Sequence, residues 1–274
     1  YRAVFLNRAM PSLSNADTIP SEKIDLDIEI NEPLSAPPEP KPGKSAALDA
    51  IAQTAAALVP NDCIIQCGIG DTPAAIASAL RFHRGLSVHS GIITPEYQQL
   101  AEAGAIDLFA DNVTGIAWGG PDFHAWLKTS DFRFLSIPHT HAHEALAILP
   151  RFVSIGSAIE VDLAGNLNLE WRMSRRISSV GGAIDYMRAA AVSEGGLSII
   201  ALQAASGGAS RIVPSIANPT IPADLADAIV TEHGIARLKG LSPRQRAEAL
   251  IAISAPEHQG FLQREAESII RAPR

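Results

Sequence analysis

From residue 44 onward, the apolar positions switch repeatedly between a helical and a strand period. Lys44–Val59 places Leu48, Ile51, Ala55 and Leu58 on one helical face. Asn61-Asp62 turns the chain into Cys63-Ile-Ile-Gln66, a short buried strand. Gly68-Ile-Gly70 then forms a tight loop, after which Thr72 caps and Pro73 opens a helix running to about Phe82. The same reading predicts strands at 86–89, 106–109, 132–137 and 152–155, and helices at 95–103, 121–128 and 141–149. In the later half, 159–163 and 167–171 flank Ala164-Gly165-Asn166, which is a hairpin signal. Gly181-Gly182 opens a helix through Ala190, strands follow at 197–202, 210–213 and 226–231, and helices at 243–253 and 257–270 close the chain. The predicted fold is α/β, an open and mostly parallel sheet with flanking helices and hairpin additions.

The first 43 residues differ. Arg2-Ala-Val-Phe-Leu6 reads as a strand with nothing before it, and Ile24–Ile30 alternates like a second. Five prolines between Pro33 and Pro42 mark an extended linker. The expected division is a tail of an upstream domain plus linker at 1–43, and a C-terminal domain at 44–274. The first residue is Tyr1, so the chain is expected to begin partway through a longer product.

Composition narrows the function. At 274 residues and 47% hydrophobic, the chain can bury one large core. Its net charge of −7 argues against a general nucleic-acid binder. The only cysteines, Cys63 and Cys67, flank a strand at a spacing that suits neither a zinc ribbon nor a redox motif. They read as structural, in a reducing, cytoplasmic setting. No apolar run reaches transmembrane length, so no membrane partner is expected.

Several stretches carry candidate chemistry. Gly68 and Gly70 lie between a strand and a helix N-terminus, where backbone N–H groups suit an anion. The loop lacks both the third glycine of a dinucleotide fingerprint and the lysine of a phosphate loop. Gly182 marks a second glycine-rich helix entrance. His139-Thr-His-Ala-His143 has no acidic or cysteine partner at a recognised ligand spacing, so no metal is expected. Glu232 and His233, adjacent on a strand, would point to opposite faces. No Gly-x-Ser-x-Gly elbow is present. Glu160 follows the apolar run from Phe152 and so stands at the mouth of a buried strand, where charge is costly unless used. A carboxylate there is already ionised and needs no partner base to act as a nucleophile, only donors for the oxyanion it creates.

Five ordered stretches carry a family resemblance: Gly68-Ile-Gly70, Ser154–Asn168, Val180–Tyr186, Ser210–Pro214 and Ile229–Gly234. With them, residues 44–270 resemble the C-terminal part of the acetyl-CoA hydrolase/transferase family, which includes 4-hydroxybutyrate, butyrate, succinate:acetate and itaconate CoA-transferases. The resemblance implies a CoA-transferase-like fold of the NagB/RpiA type, in two related domains with the active site between them. It implies coenzyme A and acyl-CoA as substrates together with a small carboxylic acid, no metal, a missing N-terminal domain and a homo-oligomer. It implies that Glu160 is the nucleophile and passes through a glutamyl-CoA thioester. By the same resemblance, the Gly234 amide helps form the oxyanion site, Ser136-Ile137-Pro138 forms its other wall, and Ile212 contacts CoA. Hydrolysis through the same glutamate, or CoA binding without turnover, are the alternatives. The chain departs from its relatives at Gly91, where they carry an acid, at Asp107–Asp111, where they are basic, and at His139, where they have tyrosine. The acyl group therefore stays open.

Overall fold

The computed structural model describes residues 1–32 and 45–271. The proline-rich segment at 33–42 lies outside the described residues. Strands β1 (Ala3–Asn7) and β2 (Leu26–Ile30) pair in parallel as a separate ribbon. The main body then runs α1 (Ala46–Ala56), β3 (Ile64–Cys67), α2 (Asp71–Ala79), β4 (Ser87–Ile93), α3 (Pro95–Glu102), β5 (Val113–Ala117), α4 (Pro121–Leu127) and β6 (Arg133–Phe134). Two short helices, α5 (Ile137–Thr140) and α6 (His143–Leu146), precede β7 (Phe152–Ser157). Next come β8 (Glu160–Asp162), β9 (Leu167–Asn168), β10 (Trp171–Arg172), β11 (Arg175–Arg176) and α7 (Ala183–Val192). The chain closes with β12 (Leu197–Ala201), β13 (Ala205–Ser206), β14 (Ala209–Ser210), β15 (Ile212–Val213), β16 (Ala228–Thr231), β17 (Gly234–Arg237), α8 (Pro243–Ala252) and α9 (Pro256–Arg271).

Eight strands form the main sheet in the order β17-β16-β12-β7-β3-β4-β5-β6. All neighbours are parallel except the β16–β17 hairpin. The chain builds outward from β3 to β6 and then returns to place β7 on the other side of β3. Strand order therefore reverses between β3 and β7, and a crevice opens at their carboxyl ends, where open α/β sheets bind ligands. Alternation along β7 sends Val153 and Ile155 into the core beneath α1, α2, α3 and α4, and Phe152 into a smaller cluster with Leu146 and Tyr186 beneath α6 and α7. Beyond β7 a three-stranded sheet, β15-β8-β9, packs its apolar side on β12, β16, β17 and helices α8 and α9.

Three local expectations change. Residues 106–109 do not form a strand. Only Ile106 bridges to Leu86, Asp107 Oδ1 accepts the Phe109 N–H at 2.9 Å, and Phe109 is exposed. The strand that pairs with β4 on that side is β5, whose pattern is interrupted by Gly115. The predicted helix at 141–149 shortens to α6 at His143–Leu146, which starts only after an extended Ala142. Gly70, at φ 117, replaces Thr72 as the cap of α2, because only glycine readily reaches that conformation. The tail is also tied to the body: Ala16 bridges Phe134, and Asp17 accepts the Ser136 N–H at 2.8 Å.

Close packing of α5 on the sheet depends on glycine in β4. A Cβ at Gly91 would lie 2.6 Å from His141 Cε1 and 2.7 Å from the Tyr186 hydroxyl. Gly91→Ala should lower stability by about 1–3 kcal/mol through overpacking. His141→Gly in the same chain should recover part of that loss, and urea unfolding midpoints of the two single variants and the double variant check the coupling. Burial pushes both Cys63 and Cys67 thiols up to about 12. At pH 8 in the folded protein both should stay unreactive toward a disulfide reagent, and both should react once urea unfolds the chain.

Candidate active site

Glu160 opens β8, immediately after the chain leaves β7 at the switch crevice. Two ladders fix its direction. In the antiparallel pair, Glu160 faces Asn168 and Val161 faces Leu167. In the parallel pair, Val161 faces Ile212, and Arg211 O accepts the Val161 N–H at 2.9 Å. One step back along that ladder, Arg211 stands beside Glu160. Strand side chains alternate between faces, so the three strands present two rows. Ile212, Val161 and Leu167 are fully buried and form the dry side. Arg211, Glu160 and Asn168 form the other.

Asn168 is buried and fully employed. Its Nδ2 donates to Glu160 Oε2 at 3.0 Å and to Trp171 O at 2.6 Å. Its Oδ1 accepts the Glu170 and Trp171 N–H groups at 3.1 and 2.8 Å. One amide thus holds the carboxylate and the base of the β10–β11 hairpin together. Arg211 is half-buried, and its Nη1 donates to Ile159 O at 3.0 Å. Burial moves its guanidinium below the ordinary arginine value, the like charge of Arg172 adds to that, and Glu160 opposes it. Among the described residues no cation lies within ion-pair distance of Glu160. The turn beneath is built by buried Asp162, whose Oδ1 accepts the Ala164 and Asn166 N–H groups at 3.0 and 2.9 Å.

The other expected residues lie around the same end of the sheet, in varied states. Gly68 closes the β3–β7 ladder by donating its N–H to Ile155 O at 2.8 Å, so that amide is engaged. Gly70 sits at the start of α2 with Asp71 in the first turn, which already places an acid at that N-terminus. The Ser136 N–H is taken by Asp17, whose carboxyl is held below its usual range mainly by that bond. Ser136 caps α5, Pro138 lies in its first turn, and Ile137 is exposed. The segment is thus a helix start and not the strand end expected. Gly182 gives room: a Cβ there would meet His141 Cδ2 at 2.5 Å. Ile212 points into the core, so only its main chain can face a ligand. Gly234 begins β17 at φ 141, a conformation suited to glycine, and pairs with Thr231 at the carboxyl end of β16. It is level with the end of β7 and three strands away, about 14 Å at the usual strand spacing. Glu232 and His233 form the two-residue tip between them, and Glu232 Oε2 accepts the Ala204 N–H at 2.9 Å.

Asn168, Arg211 and Arg172 were not among the expected site residues. The hairpin was the available signal, because pairing about its turn fixes what opposes Glu160. Among the described residues no group of three or more His, Cys, Asp or Glu is placed to hold a metal ion, and no helix is long and apolar enough to cross a membrane.

Comparison with known proteins places the chain by family and fold. The acetyl-CoA hydrolase/transferase C-terminal domain matches residues 119–266. The chain is 31% identical over 272 residues to a 4-hydroxybutyrate coenzyme A transferase of Clostridium kluyveri, covering 95% of this chain and 63% of that protein. It is 32% identical over 266 residues to a butyryl-CoA:acetate CoA-transferase of Anaerostipes caccae, covering 89% and 59%. The crystal structure of RipA from Yersinia pestis superimposes with a TM-score of 0.90 at 28% identity, covering 98% of this chain and 63% of RipA. The chain thus spans about three fifths of the length of these relatives. With the matched domain taking in Glu160, Asn168, Arg211 and Gly234, the chain belongs to the acetyl-CoA hydrolase/transferase family.

Proposed function

We propose that the protein moves coenzyme A between an acyl-CoA and a small carboxylic acid, with Glu160 as the temporary carrier. The carrying observation is the state of that carboxylate. One oxygen is oriented by a buried amide, and no cation is paired with it among the described residues. A nucleophile needs orientation without charge neutralisation.

The reaction runs in two symmetrical halves. A Glu160 oxygen attacks the thioester carbonyl, the C–S bond breaks, and an acyl-glutamyl anhydride and CoA thiolate result. The thiolate attacks the glutamyl carbonyl, giving a glutamyl-CoA thioester and releasing the first acid. The acceptor carboxylate attacks that thioester and expels the thiolate, which takes the new acyl group and returns Glu160 to its carboxylate. Each carbonyl develops an oxyanion that needs donors. Gly234, which carries no side chain and pairs with Thr231 at the carboxyl end of β16, is the main-chain donor assigned here. Ser136, Ile137 and Pro138 belong to the opposing wall, and Gly68, Gly70, Gly182 and the Ile212 main chain belong to the groove for CoA. Exposed Ile69, Trp118 and Ile137 give apolar surface at the carboxyl end of the sheet against which a pantetheine arm can lie.

A counterpart of the roughly two fifths of these relatives' length that this chain does not span would complete the groove. In the full protein, acyl-CoA plus a second carboxylic acid should yield a new thioester. Release of free CoA alone would point to hydrolysis instead, and binding without either product to a non-catalytic module. Glu160→Gln should lower turnover by at least about a thousandfold with an unchanged circular dichroism spectrum. Asn168→Ala should leave the nucleophile chemically intact but poorly aimed. Its kcat should fall by about ten- to a hundredfold, and the loss of buried hydrogen bonds should cost about 1–3 kcal/mol in a denaturant titration.

A further inference from the structure

Helix α5 is a single turn, too short to be stable by itself, and no side-chain hydrogen bond caps its start. Its two ends are fixed from outside. Just before it, Leu135 donates its N–H to Thr114 O in β5 at 2.9 Å. At its far end, Thr140 is fully buried and its carbonyl accepts the Tyr186 hydroxyl at 3.0 Å. His141 follows, with Nδ1 2.8 Å from Thr140 Oγ1 and its ring centre 5.0 Å from that of Tyr186. It fills the notch left by Gly91 and Gly182, where a Cβ would lie 2.6 and 2.5 Å from its ring.

Ser136, Ile137, Pro138 and His139 lie between those fixed points. Among the described residues, these four have one hydrogen bond to a partner outside 136–141. It is the Ser136 N–H, donated at 2.8 Å to Asp17 Oδ2 from 119 positions away in the chain. The Asp17 main chain does not depend on that bond. Asn15 O accepts the Phe134 N–H at 2.7 Å, and the Asp17 N–H donates to Phe134 O at 2.8 Å, so residues 15–17 lie along β6. A carboxylate fixed by its own backbone is a preset acceptor, and a charged acceptor holds an N–H more strongly than a neutral one.

Ile137 is the side chain that this tie aims, because it is 72% exposed on the turn that Ser136 begins. With the Ser136 amide tied, the turn is ordered before a ligand arrives. With the amide free, a ligand that packs on Ile137 must order the turn itself, which lowers its affinity.

We infer that Asp17 is a positioning residue: through the Ser136 amide it presets the α5 wall against which the pantetheine arm of coenzyme A lies. This rests on the reading of Ser136, Ile137 and Pro138 as one wall of the CoA groove. Asp17 touches neither the ligand nor the reacting atoms. The tail segment thereby acts on the affinity for CoA and leaves the chemistry at Glu160 alone.

Asp17→Ala removes the acceptor and spares the main-chain bonds to Phe134. Asp17→Asn keeps an acceptor oxygen without the charge. In the full protein, CoA should bind Asp17→Ala about five- to tenfold more weakly than wild type by calorimetry, and Asp17→Asn within about twofold. Adenosine 3′,5′-bisphosphate, which lacks the pantetheine arm, should bind all three proteins alike. The KM for acyl-CoA should rise in Asp17→Ala by the same factor as the CoA dissociation constant, while kcat falls less than about twofold. Hydrogen exchange at the Ser136 amide should be at least about tenfold faster in Asp17→Ala than in the other two. Equal loss of affinity for CoA and the bisphosphate would overturn the inference and mark a merely structural aspartate, as would equal loss in both variants. Unchanged CoA affinity in Asp17→Ala would also overturn it, and faster Ser136 exchange in that case would show that the tie is real but the wall lies elsewhere. The expected affinity changes in a protein that makes no new thioester would keep the positioning role and remove the transferase reading.

Discussion

The lateral row Arg211–Glu160–Asn168 is the constraint on which the site depends. A strand can hold a carboxylate in a fixed direction at a crevice only if its other face is well buried. Here Ile212, Val161 and Leu167 provide that face with no exposure at all. Each apolar residue that anchors the small sheet in the core therefore fixes the direction of a polar one beside it. The carboxylate is oriented by backbone register, and a one-residue slip of β8 would turn Glu160 into the core and Val161 outward.

The main sheet supplies the place. Because strand order reverses between β3 and β7, the loops after these strands diverge and leave a crevice. The Gly68 amide stitches the crevice floor to β7, and β8 departs from the same strand toward the smaller sheet. The carboxyl end of β16 brings Gly234 to the same level. The N-terminal tail reaches this end as well, since Asp17 holds the first amide of the α5 segment. What the sequence divides into tail and domain is thus joined by hydrogen bonds at the wall of the candidate site.

Long-period features were legible in the sequence. The alternation of buried strands and helices led to the α/β sheet, and the apolar run before Glu160 drew attention to it without any geometry. Register was not legible. A turn centred on Gly165 would set Glu160 against Glu170, but the ladder turns about Ala164 and opposes it to Asn168. That single residue separates a repulsive pair from an orienting hydrogen bond. The same limit explains Ile212: the motif was found, but parity sends Ile212 inward and leaves Arg211 on the reactive side. Amides were the second blind spot. Gly68 and Ser136 look available in a sequence, whereas their N–H groups already have acceptors in the fold. The strand beside β4 was missed for a third reason. Gly115 hides β5, while the apolar Leu108-Phe109 pair imitates a strand and is only a turn.

The central claim is that the Glu160 carboxylate becomes covalently attached to coenzyme A. Peptide mass spectrometry after brief exposure of the full protein to acyl-CoA, with borohydride reduction of one portion, tests it most directly. A CoA-sized mass increase on the peptide containing Glu160, replaced by the mass of the reduced alcohol after borohydride, is the predicted result. Acyl-CoA turnover with that peptide unmodified at every time point, or a CoA adduct on a different residue, would contradict it.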